Sequence, residues 1–380
     1  MKYVRLSACL AILLLLLFGC SIDISQNTAA TSTPGVQNSA STVPPSTPGS
    51  VAAPSQTAVS NTSQIPVTWG NLDLTGKLIY IAAIAQNEQL SIEVQSLDLT
   101  NGQVTTIFRT TGEAWLDSAT VSPDLQQLIL SYTPPAGVPY SGQDALYSMP
   151  LNGSNVPQLL FPPASDEDQY YQPQWSPNGK YIYFTHLLYQ GSNPYEMMRV
   201  AYPNGTPEKI SDNAYWPRLS QDGTRLVYVS YDSLTGINHL FIANPDGANA
   251  HQVPLTGPAI PTVIDAPMFS SDGRSIIFSA PDPPSSSYQP NWLVSLFGAT
   301  DAFADGSIPS DWWTVPVTGG APRQLTTIYA TSLYGTYSPD RKYIACYSAN
   351  GVFVMRPDGT GITQIVSRTG GIPGTVNWIP

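Results

Sequence analysis

The sequence predicts an all-β chain: a six-bladed β-propeller closed by its C-terminal strand, preceded by a signal peptide and a disordered Ser/Thr/Pro tether. Three observations lead there. Two turn signatures alternate from about residue 67 to the end, and each pair marks one four-stranded unit. The two ends of that region read as halves of one divided copy. Ahead of it lies a stretch too polar to build a core.

Lys2 and Arg5 precede a continuous apolar run, Ala8 to Phe18. That run is too short to span a bilayer but suits the core of a secretory signal. It ends in Leu17-Phe18-Gly19-Cys20, which resembles the lipobox of bacterial lipoproteins. The resemblance implies that residues 1–19 are removed and that the Cys20 thiol takes a diacylglyceryl group, anchoring the chain to a membrane. Phe18 departs from the pattern, which prefers a smaller residue there. The other reading is an ordinary signal peptide with Cys20 merely near the cut.

Residues 20–66 form the tether, in which Asp23 is the only charge among Ser, Thr, Pro, Ala, Gln, Asn, Gly and a few aliphatics. Such a stretch buries too little apolar surface to offset its ordering entropy. It is expected to hold residues 67–380, the propeller, away from the membrane surface.

The first turn signature is Ser-Pro-Asp-Gly or a variant: Ser122-Pro123-Asp124, Ser176-Pro177-Asn178-Gly179, Ser220-Gln221-Asp222-Gly223, Ser270-Ser271-Asp272-Gly273 and Ser338-Pro339-Asp340. Pro presets φ, Asp or Asn bonds its own backbone, and Gly accepts positive φ. Leu125 and Arg341 stand where glycine is expected, which predicts turns of another type in those two copies. The second signature predicts two-residue hairpin turns at Asn101-Gly102, Asn152-Gly153, Asn204-Gly205, Asp246-Gly247, Gly319-Gly320 and Asp358-Gly359. Six of these mean six blades. The missing sixth first turn is supplied by the termini: Trp378-Ile379-Pro380 matches Trp175-Ser176-Pro177, and Gly76-Lys77 matches Gly179-Lys180. The C-terminal strand is therefore expected to be the innermost strand of the N-terminal blade.

With Trp175-Ser176-Pro177-Asn178-Gly179-Lys180 as its fullest copy, the repeat resembles that of the TolB-like six-bladed propellers over residues 67–380. The resemblance implies a propeller outside the cytoplasm that works by binding.

Composition narrows the function classes. The 380 residues carry 15 Lys and Arg against 26 acids, a net charge of −11, which argues against a nucleic-acid partner. Three cysteines make neither a disulfide scaffold nor a four-ligand zinc site. No Gly-x-Ser-x-Gly elbow, phosphate loop or dinucleotide fingerprint occurs, so no catalytic residue, metal or cofactor is assigned. His186 and His239 are expected near loops of neighbouring blades, where a metal site would need a third ligand from an acid such as Asp232, although surface or hydrogen-bonded histidines are the plainer reading. Asp166-Glu167-Asp168 offers oxygen ligands for calcium, with a solvated acidic loop as the alternative. Cys346 falls on the inward face of a strand and is expected to be buried and inert.

Loop length singles out one face. Loops between second and third strands are long and aromatic, and loops that exceed their geometric need are where binding usually resides. The candidate partner or ligand residues are Tyr140, Tyr189, Tyr195, Trp292, Phe297, Trp312 and Trp313. The sequence thus points to a lipid-anchored, extracytoplasmic, non-catalytic module that binds an envelope protein or polysaccharide. The alternative is a carbohydrate-binding or glycan-degrading protein using the same aromatic face.

Overall fold

The computed structural model describes residues 61–86, 89–154, 156–188, 194–281 and 308–380. These residues form strands and no helix, arranged as one five-stranded and five four-stranded sheets, the six blades of a propeller. Strands β1 to β4 (Thr62–Gln64, Lys77–Gln86, Gln89–Asp98, Gln103–Arg109) belong to the first blade. The second is β5 to β8 (Trp115–Val121, Gln127–Thr133, Ala145–Pro150, Gln158–Leu159). The third is β9 to β12 (Asp168–Trp175, Tyr181–Leu188, Tyr195–Ala201, Glu208–Asp212). The fourth is β13 to β16 (Ala214–Leu219, Leu226–Asp232, Ile237–Ala243, His251–Gln252). The fifth is β17 to β20 (Asp265–Phe269, Ser275–Ala280, Asp311–Pro316, Arg323–Gln324). The sixth is β21 to β24 (Tyr334–Tyr337, Ile344–Ser348, Gly351–Met355, Thr363–Val366).

The last strand, β25 (Val376–Ile379), pairs with β2, Lys77 opposite Ile379 and Tyr80 opposite Val376. The divided copy therefore closes the ring as the sequence predicts. Side chains of this strand also reach the next blade. Thr375 Oγ1 donates to the Ala119 carbonyl at 2.7 Å, and Asn377 Nδ2 donates to the same oxygen at 2.9 Å. At the outer edge β1 adds a fifth strand against β4, with Thr62 opposite Thr105. The folded domain thus starts ahead of the boundary at 67. The residues of β1 are polar and exposed, so only backbone pairing marks them as a strand.

Second strands are buried on both faces because each blade lies between two others. Ile182, Tyr183 and Phe184 of β10 are all inside, as are Ile276, Ile277 and Phe278 of β18. A short apolar run of this kind is what a fully buried strand requires.

All five first turns share one hydrogen-bond pattern. The Ser Oγ donates to the Asp or Asn side chain two residues on, at 2.6–2.8 Å. It accepts the backbone N–H five residues on, at 2.9–3.0 Å. Leu125 and Arg341 adopt φ of 59° and 63°, close to the 69° of Gly179 and Gly223. The expectation of another turn type in those two copies is overturned. The Ser-Asp network holds both residues in the left-handed region despite a cost of about 1–2 kcal/mol each.

The second signature also differs from expectation. Asn101, Asn152, Asp246 and Asp358 accept the N–H two residues on through Oδ1, at 2.8–3.0 Å, and only the glycine of each pair has positive φ. These are side-chain-closed turns within longer connections, not two-residue hairpins. Gly153 shows why glycine is needed: a Cβ there would lie 2.5 Å from the Ile107 carbonyl oxygen of the preceding blade.

Candidate functional site

In the second to sixth blades the innermost strand begins on the face that carries the second-to-third-strand loops and ends at the Ser-Asp turn on the other. The innermost strands β5, β9, β13, β17, β21 and β25 surround the axis. Midway along it, polar side chains close the channel. Gln174 Nε2 on β9 donates to Tyr334 Oη on β21 at 2.6 Å. From β13, Arg218 Nη2 donates to the Gly335 carbonyl at 2.8 Å, and its guanidinium lies 4.5 Å from the Tyr334 ring centroid. Above them, Trp216 Nε1 donates to Asp265 Oδ1 at 3.1 Å.

The remaining cavity at this mouth measures about 40 Å³ and is lined by Asp117, Ser118, Gln172, Trp216 and Asp265 among others. That is room for a water-sized species and far below the size of a drug-like ligand site.

The sequence reading missed the residues that fill the channel, although a signal was present. Gln172-Pro173, Trp216-Pro217 and Ala266-Pro267 each place a proline inside an innermost strand, where it marks a bulge. The ladder register shifts at all three, and Gln172, Trp216 and Ala266 have φ of 56°, 55° and 45°. The bulges re-aim the neighbouring side chains toward the axis.

On the third blade, His186 lies between two carboxylates rather than beside His239. Its Nε2 is 3.0 Å from Asp168 Oδ1, and its Nδ1 is 3.1 Å from Glu196 Oε2. Lys209 extends the network to Glu196 and Asp212 at 3.1 and 2.8 Å. His239 instead meets Gln252 at 3.1 Å. Asp168 is not on a solvated loop: it opens β9, is buried, and accepts the Ser165 N–H at 2.7 Å. Burial pushes its carboxyl up, but the hydrogen bonds from His186 and Ser165 outweigh that and hold it below the usual carboxylate value.

Three of the predicted binding residues are corrected. Tyr195, Trp312 and Trp313 are buried and cannot serve as surface anchors. They open the third strands of their blades, where side chains pack between neighbouring sheets. The Tyr195 ring packs against that of Tyr215 with 4.8 Å between centroids and a tilt of 31°, Trp313 Nε1 donates to the Ala280 carbonyl at 3.2 Å, and Trp312 packs with Met268 and Cys346. Tyr140 is exposed on the loop between β6 and β7. Cys20, Tyr189, Trp292 and Phe297 lie outside the described residues.

The exposed large hydrophobic residues nevertheless gather where loop length pointed. Of Val67, Leu90, Trp115, Tyr140, Leu234, Ile260, Tyr329 and Ile362, only Val67 and Ile362 lie away from the long-loop face and its connections. Leu234 is 95% exposed and Tyr329 58%. On the opposite face, a groove of about 440 Å³ between the first and second blades is lined by Lys77, Ser96, Thr105, Gln126, Gln127 and Asn152 over Ile79, Ile107 and Ile379. No aromatic side chain lines it, so it offers no platform for sugar stacking.

These features define a six-bladed propeller with a closed channel and one apolar-rimmed face. Solved structures share that fold. A protein assigned as TolB from Agrobacterium tumefaciens superposes with a TM-score of 0.51 at 16% identity, over 81% of this chain and 99% of that one. TolB from Acinetobacter baumannii gives 0.56 at 15% identity over 78% of this chain, which spans 65% of that protein's length. A chain of a nidogen/laminin complex gives 0.53 at 9% identity, over 79% of this chain and 97% of that one. No protein-family model and no curated protein sequence matches the chain. The likenesses establish the TolB-like six-bladed fold.

Proposed function

We propose that this protein is an extracytoplasmic, lipid-anchored propeller that binds an envelope protein through its long-loop face. The observation that carries the reading is the gathering of Trp115, Tyr140, Leu234, Ile260 and Tyr329 on one face of a disc whose channel is closed. Exposed apolar groups collected on one face suit a broad macromolecular contact. The fold shared with TolB proteins and with a chain of a nidogen/laminin complex supports a binding role. Cys20 supplies the anchor, and the tether gives the disc reach.

The test is cross-linked pull-down from cell envelopes with the full chain. Tyr140→Ala with Tyr329→Ala is expected to weaken capture of the recovered partner, since truncating an aromatic anchor typically costs about 2 kcal/mol or more. Ile362→Ser, on the opposite face, is expected to leave it unchanged. Loss of capture only in the Ile362 variant overturns the choice of face.

A further inference from the structure

From the way charge is divided between the two faces, we infer that the long-loop face takes a cationic polypeptide segment rather than an anionic wall polymer. This rests on the reading of that face as the binding face and names the chemistry of its partner.

On the short-turn face, acids come with their own cations. Arg225, Arg274 and the Arg341-Lys342 pair come within three residues after Asp222, Asp272 and Asp340. On the long-loop face the balance is lost. Among the described residues its cationic Lys and Arg side chains are Arg109, Lys209 and Arg368. Arg109 is engaged by Glu93 at 2.6 Å, and Lys209 by Glu196 and Asp212. Glu113, Asp166, Glu167 and Asp232 stand exposed or half-buried on the same face in addition, with the exposed Arg368 as the remaining cation. Among the described residues the negative charge is therefore concentrated where the apolar rim lies.

A surface of that kind accelerates encounter with a basic partner and repels an acidic one. The interleaving narrows the class further. Glu113 lies two residues before Trp115, and Asp232 Oδ1 accepts the N–H of Leu234 at 2.9 Å. Carboxylate and apolar anchor side by side match a chain that alternates Lys or Arg with large apolar side chains.

The experiment uses the full chain and a fluorescein-labelled 12-residue peptide alternating Lys with Leu and Trp, followed by anisotropy. Binding is expected to weaken about tenfold or more between 50 and 300 mM salt. Zero-length carbodiimide coupling is expected at Glu113, Asp166 and Asp232. The combined variant Glu113→Gln, Asp166→Asn, Asp232→Asn should bind roughly tenfold more weakly. Asp73→Asn with Asp246→Asn, on the short-turn face, should bind as the parent does. Coupling to Asp73 or Asp246, equal loss in both variants, or tighter binding of a Glu-for-Lys peptide or a polyuronate overturns the inference. The envelope partner separates the two levels. If Leu234→Ser with Tyr329→Ser abolishes its capture while the charge variant leaves capture unchanged, the face stands and the cationic class falls. If only short-turn-face variants lose it, both fall.

Discussion

Trp378 and Thr75 join the two ends of the propeller: the indole Nε1 of Trp378, on the last strand, donates to the Thr75 carbonyl at 2.8 Å. The indole also stacks on Tyr343 of the sixth blade, 6.5 Å between centroids. One side chain thus ties the first blade to itself and to its neighbour, at the seam where a ring is weakest.

Removing residues 374–380 should therefore strip the innermost strand from the first blade and expose β2. The expected outcome is loss of cooperative thermal unfolding, or aggregation. Deleting residues 21–60 should leave the melting temperature nearly unchanged. Calorimetry of both deletions decides it, and equal tolerance counts against closure by β25.

The turns predict an acid response. Ser hydroxyls and backbone N–H groups hold the carboxyls of Asp124, Asp222, Asp272 and Asp340 below their usual value, Asp222 at about 2. A carboxyl whose folded value is depressed stabilises the fold above its unfolded value, about 4, and loses that contribution as pH falls through the folded value. Stability should drop between about pH 4 and pH 2. Asn178 already fills this place in one turn, so changing the four aspartates to Asn keeps the geometry and removes the titration. The quadruple variant should show a flatter acid limb in thermal melts. An unchanged limb assigns the acid response to other groups.

Leu125 offers a stability gain. Held at φ 59° in a turn that accepts glycine elsewhere, it should be replaceable by Gly with an increase of roughly 0.5–1 kcal/mol. Gly153→Ala should do the reverse, costing about 1–3 kcal/mol, because its Cβ would press on the Ile107 carbonyl at positive φ. Denaturant midpoints of the two variants should move in opposite directions, and a shift in the same direction contradicts the turn geometry.

Cys346 is buried, and burial pushes its thiol well above the usual range. Labelling by a thiol reagent should therefore follow global unfolding. Cys346→Ser should cost about 1–3 kcal/mol by placing a hydroxyl in an apolar layer. Fast labelling of the native chain would contradict this placement.

The fold was legible in the sequence because turns are local: Ser176-Pro177-Asn178-Gly179 carries its own geometry, and the divided copy at Gly76 and Trp378 could be matched by eye. Leu125 and Arg341 were misread because residue propensity disfavours a conformation that the Ser-Asp hydrogen bonds within each turn enforce. The binding face was legible only as loop length. Trp312 and Trp313 looked like the end of a loop because nothing local says that a third strand begins at Asp311. Once that strand pairs with β18, the two rings fall on opposite faces of the sheet, Trp312 against the sixth blade and Trp313 against the fourth, and both are buried. The channel plug was hidden for a related reason: Gln174 and Tyr334 are 160 residues apart, and only closure of the ring brings them together.

The fifth strand of the first blade has a mechanical consequence. β1 is short, polar and paired with β4 through three residues, and it is where the chain ahead of residue 61 joins the disc. Tension applied through that chain meets β1 before any other element, while the β25–β2 seam lies at the opposite edge of the same sheet. A pull on the N-terminal side should peel β1 as a sacrificial strip and leave the remaining four strands of the blade and the ring intact. For a chain held by its N-terminal side, the outer edge of the first blade would then act as a strain relief, lengthening under load before the propeller itself bears force.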